Sequence, residues 1–167
     1  SSGPQQSEAL SSYTLLNNSR MKRLDKTLKI DETILGKFQE YQKNITWLVL
    51  AESWCGDAAH AMPVMNKLVT QAKNIDFKVL YRDENKELMD LFLTNGSMSI
   101  PKLIVFDNET QEVINDWGPS PLIIINKTKE FKATHDTLTP EFKKEIQVWY
   151  NQNKGKCIAS DLLKLIE

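Results

Sequence analysis

The residues best suited to chemistry form one run, Trp54-Cys55-Gly56-Asp57-Ala58-Ala59-His60-Ala61-Met62-Pro63. An apolar stretch precedes it and a helical pattern follows, which places Cys55 at a helix N-terminus. Unpaired backbone N–H groups and the helix dipole there favour a thiolate, the nucleophilic form. A thiol of pKa about 8.5 is roughly 3% ionised at pH 7, and one lowered by two units is about three-quarters ionised. Asp57 opposes that shift, because a nearby carboxylate disfavours a second negative charge. His60 lies five residues on, about 140° round a helix, so the spacing predicts a surface residue rather than a base for Cys55. Trp54, beside the turn, is expected to shield the sulfur and meet partners.

The other cysteine, Cys157, belongs to no CxxC pair, and only His60 and His135 accompany the two thiols. A closed zinc site would need carboxylates to complete it, so neither a metal nor a cofactor is expected. Lys154-Gly155-Lys156 precede Cys157. That context predicts a small residue packed at a helix start, with an exposed resolving thiol as the alternative.

The elements that hold the turn follow from patterning. Residues 10–43 read as helical, with Met21, Leu24 and Leu28, then Ile34, Leu35 and Phe38, at spacings of three and four. The Lys22, Arg23, Lys26 and Lys29 face reads as solvated surface rather than a binding patch. Residues 45–50 form a continuous apolar run expected as a strand buried on both faces. A helix over 58–73, kinked but not broken at Pro63, leads to a strand over 77–81. A helix over 87–94 closed by Asn95-Gly96 and a strand over 102–106 come next, giving a β-α-β-α-β alternation. The turn at residues 107–110 pairs that strand with a strand over 112–115. A helix over about 121–131, one beginning at Thr139-Pro140 with a Phe142, Ile146 and Trp149 stripe, and a short one from Ser160 complete the chain.

The chain has 167 residues, 41% hydrophobic and 26% charged, with 21 basic against 22 acidic side chains. That size supports a full core without staples. A net charge of -1 argues against binding nucleic acid or an anionic membrane through bulk charge. No apolar run approaches the 18 or more residues of a membrane span. Few cysteines and no visible signal point to a cytoplasmic protein. Residues 1–9 read as a tag or disordered leader, and 10–167 as a single domain. Asn-x-Ser/Thr triplets at Asn17, Asn44, Asn95, Asn108 and Asn126 are frequent enough to arise by chance.

Trp-Cys-Gly at a strand-to-helix turn, Pro63 eight residues after Cys55, and Ile100-Pro101 ahead of a hairpin strand together resemble the thioredoxin family. The likeness covers about 45–131 and looks most like a bacterial branch with a Trp-Cys-Gly-Asp-Ala turn. It implies an α/β thioredoxin fold, a central mixed sheet flanked by helices, with a helical extension at the N-terminus and extra helices at the C-terminus. It further implies a cis Pro101 facing Cys55, and a substrate groove of Trp54, Gly56, Asp57, Ala58, Ile100, Pro101 and Gly118. Three departures stand out. Ala58 replaces the second active-site cysteine, Val49 replaces the buried acid of many thioredoxins, and the acid's lysine partner is matched by an apolar residue beside Lys78. Two functions therefore remain. Either Cys55 carries out monothiol exchange with a protein or low-molecular-weight thiol, or the groove is a redox-silent binding module.

Overall fold

The computed structural model describes residues 7–167. In chain order the elements are α1 (Glu8–Thr27), α2 (Glu32–Glu40), β1 (Ile45–Ala51), α3 (Gly56–Val69), β2 (Ile75–Tyr81), a 3-10 turn (Arg82–Glu84), α4 (Lys86–Asp90), β3 (Lys102–Asp107), β4 (Glu112–Trp117), α5 (Leu122–Thr134), α6 (Pro140–Asn153) and α7 (Lys156–Leu163). The sheet order is β2-β1-β3-β4. Strand β1 runs parallel to β2 and antiparallel to β3, and β3 is antiparallel to β4. This is the mixed sheet flanked by helices that the sequence implied.

Strand β1 is central, and Ile45, Trp47, Val49 and Leu50 are fully buried along it. Covering on both faces is why its sequence is apolar without alternation. Trp47 meets the ring of Phe38 edge-on at 5.6 Å, which ties α2 to the sheet. Helix α3 supplies Ala58, Ala61, Val64, Met65 and Leu68 to the core, and α6 and α7 add Phe142, Ile146, Tyr150, Ile158 and Leu162.

Several element expectations change. The helical stretch over 10–43 is two helices. Leu28 turns extended after its N–H closes α1 on the Leu24 carbonyl, and Asp31 caps α2 by accepting the Thr33 N–H at 2.8 Å. The Leu28 carbonyl, freed by this break, accepts from the Lys67 ammonium. The helix expected over 87–94 ends at Asp90. Asn95 and Gly96 take φ of 50° and 74° in a tight turn, where Thr94 and Ser97 exchange two backbone hydrogen bonds. Paired positive φ values suit Asn-Gly in a two-residue hairpin as well as a helix stop, and here the hairpin prevails. Helix α3 begins at Gly56 and runs through Pro63 to Val69, β2 begins at Ile75, and α7 begins at Lys156. Of the expected leader, residues 8 and 9 belong to α1 and 1–6 lie outside the described residues.

Candidate functional site

Beyond the end of β1 the chain turns so that the Cys55 N–H reaches the Glu52 carbonyl at 3.0 Å. Cys55 is the N-cap of α3. Its Sγ accepts from the Ala58 N–H at 3.5 Å and donates to the Ile100 carbonyl at 3.3 Å. The Ile100-Pro101 bond is cis, as is Gly118-Pro119. Gly118 has φ 119°, and a Cβ there would collide with the Pro101 carbonyl oxygen, so only glycine lets these two loops meet. Cys55, Ala58, Ile100, Pro101 and Gly118 are thus brought together. A Cβ at Gly56 would lie 3.2 Å from Gln147 Nε2, which sets α6 directly against the turn. Partly buried Trp54 packs on the core with the Arg82 guanidinium 5.3 Å from its ring centre.

The expected thiolate is corrected. Cys55 is only 8% exposed, and burial first, then the Asp57 carboxylate, push its thiol up to about 12. The N–H groups of Ala58 and Asp57 and the Arg82 charge pull the other way and lose. Desolvation of a fully charged sulfur outweighs the partial charge of a helix terminus.

Asp57 does more than oppose the thiolate. Its carboxyl, raised by burial, accepts a 2.6 Å hydrogen bond from the Tyr150 hydroxyl of α6, which favours the charged form. Tyr150 is 3% exposed, and burial followed by the Asp57 charge holds its hydroxyl far above the usual tyrosine range. Tyr150 stacks on His60 at 4.3 Å, and His60 Nε2 pairs with Gln147 Oε1 at 2.9 Å. The surface position expected for His60 is therefore also corrected. It is buried under α6, and desolvation pushes it down to about 4.

Val49 stands in register with Val79, and Lys78 is exposed beside it, so no acid and lysine face each other there. Cys157 sits in the first turn of α7, where its Sγ accepts from Asn153 Nδ2 at 3.0 Å and its N–H donates to Asn153 Oδ1 at 2.9 Å. Both cysteines are free thiols. Among the described residues no cluster of His, Cys, Asp and Glu is arranged to hold a metal, and no helix is long and apolar enough to cross a membrane. Sequence reasoning missed Tyr150, Gln147, Arg82 and Glu52. A signal existed only for Tyr150, which continues the Phe142 and Ile146 stripe at a spacing of four.

A family model described as Thioredoxin matches residues 3–132. The crystal structure of a protein of unknown function from Pseudomonas aeruginosa superposes with a TM-score of 0.70 at 13% identity, covering 93% of this chain and 89% of that one. The crystal structure of an HIV epitope scaffold gives 0.67 at 14% identity, covering 93% and 90%. Those likenesses speak to the fold alone. No curated protein matches the sequence significantly. With the family match spanning most of the chain and the turn, proline and glycine loops assembled as described, the chain belongs to the thioredoxin family.

Proposed function

We propose that this thioredoxin-family chain is a binding module whose groove beside Pro101 receives an extended partner segment, with Cys55 kept as a protonated thiol. The observation that carries this reading is the enclosure of the sulfur, 8% exposed and bonded to the Ile100 carbonyl. With the thiol pushed up to about 12, the thiolate fraction at pH 7 falls roughly 3,000-fold below that of an ordinary cysteine. Higher intrinsic nucleophilicity recovers only about 30- to 60-fold, so attack on a disulfide is on the order of 100-fold slower than by a free thiol. Ala58 leaves no second thiol at the turn to release a mixed disulfide.

Monothiol exchange with a protein or small thiol is the second reading. It draws on the Ala58 N–H aimed at the sulfur from 3.5 Å, a contact that favours the thiolate. Two measurements separate the readings. Iodoacetamide alkylation of Cys55, followed by mass spectrometry from pH 6 to 10, is expected to stay slower than that of Cys157. Binding to an array of cysteine-free and cysteine-containing peptides should be equal for the wild type and Cys55→Ser. A Cys55 alkylation midpoint below about 8.5, or covalent peptide adducts lost in Cys55→Ser, would establish exchange instead.

A further inference from the structure

A pocket of about 380 Å³ lies between α1, the end of β1, α3 and β2, within the volume range of small-molecule sites. Met21, Ala59, Met62, Val79 and Leu80 make its wall apolar, and the two methionines give it adaptable sides. Glu52 is the acidic member of that wall. It is 3% exposed; its Oε1 accepts the Asp83 N–H at 3.0 Å, while its Oε2 is buried with no hydrogen-bond partner among the described residues. A buried carboxylate oxygen without a donor costs far more than an exposed one, so a bound donor there would remove a standing penalty.

Among the described residues, the cation whose charge bears on Glu52, Arg82, is already engaged. Arg82 is held by Asp83 at 2.7 Å, by the Met98 carbonyl at 3.3 Å and by the Trp54 ring. Asp83 and Glu84 add negative charge near Glu52, against the single positive charge of Arg82. The other buried side-chain nitrogens and oxygens with no partner among the described residues, Nε1 of Trp47 and of Trp54, are donors on side chains outside this wall.

From this cavity and its orphaned acceptor we infer that the pocket binds a small molecule with an apolar body and a terminal amine, the amine donating to Glu52 Oε2 and the body lying between Met21 and Met62. The pocket shares Cys55 and Ala58 with the turn beside Pro101, but its test is read at Glu52 and Val79, which lie outside the residues assigned to that groove, so it does not depend on the groove's role.

The test uses three probes of equal length, n-octylamine, n-octanol and octanoate, titrated calorimetrically into the whole protein. Octylamine is expected to bind saturably with one site, octanol more weakly, and octanoate not at all. Glu52→Gln should weaken octylamine by at least about tenfold, the scale of a hydrogen bond to a charged group, and leave octanol within about twofold. Val79→Trp, at the exposed rim of the pocket, should abolish binding of both and serves if Glu52→Gln does not fold. Octanoate binding as tightly as octylamine, unchanged octylamine affinity in either folded variant, or no saturable binding of any probe would overturn the assignment.

Discussion

Burial sets the protonation of Cys55 first, and Asp57, held by Tyr150 at the other end of one hydrogen bond, adds to it. The tyrosine hydroxyl favours the Asp57 carboxylate, and that charge, after burial, is the second force holding the thiol up. Asp57→Asn removes the charge and keeps the shape, so Cys55 alkylation at pH 8 is expected to rise on the order of tenfold, the effect of about one pKa unit. Tyr150→Phe should act in the same direction but less, because an unsupported Asp57 shifts toward its neutral form. No change in either variant would mean that burial alone governs the sulfur. His60 makes a second prediction. Its folded pKa, about 4, lies below the ordinary 6.5, so the unfolded state binds more protons in that interval. Stability therefore falls as pH drops from about 6.5 to 4, by up to roughly 3 kcal/mol from this group. Asp57 and Glu52, whose pKa values are raised, work the opposite way and gain stability on acidification. Comparing urea midpoints at pH 7 and 4.5 for the wild type and His60→Phe isolates the histidine, and the variant should lose less on acidification. An equal loss in the two proteins would place the acid sensitivity elsewhere.

The element that organises the site is the first turn of α3, where positions 55 and 58 are three residues apart on one helical face. That spacing falls within the roughly 4.4 to 6.8 Å Cα separation of disulfides, so Ala58→Cys should form an intramolecular disulfide under mild oxidation. Turnover of insulin disulfides should remain poor, because the attacking thiol is still buried beside Asp57, and adding Asp57→Asn should raise it. Failure to form the disulfide would show that the turn is splayed. At the facing loop, Gly118→Ala meets both a φ of 119° and the Pro101 carbonyl, so a loss of about 2 kcal/mol or more in chemical denaturation is expected. These local elements were legible because their causes are local. An apolar run, a cysteine after it and a periodic stretch are enough to place β1 and α3. The break between α1 and α2 was hidden because the apolar spacing continues across it. The Asn95-Gly96 turn was hidden because the same dipeptide serves two structures.

At the scale of the whole molecule, the C-terminal helices complete a site whose recognisable residues all lie far upstream. The Tyr150 to Asp57 bond spans 93 residues, and the His60 to Gln147 bond spans 87. No periodicity encodes such a pairing. The stripe of α6 could be continued through Trp149 or Tyr150, one residue apart, and the two choices differ by about 100° round the helix. Tyr150 is the residue buried there, which is why the deeper half of the site escaped the sequence. The same helices bury Phe142, Ile146, Tyr150, Ile158 and Leu162. At about 1.5 to 3 kcal/mol for each large side chain, their removal forfeits roughly 8 to 15 kcal/mol, comparable to the entire stability of an ordinary domain. It would also strip the partners from His60 and Asp57. A chain ending at residue 137 is therefore expected to show no cooperative unfolding transition in urea, although it retains the whole of the family-matched segment, 3–132. A sharp transition from that shortened chain, with His60 titrating near 6.5, would mean that α6 and α7 only cover a core already complete without them.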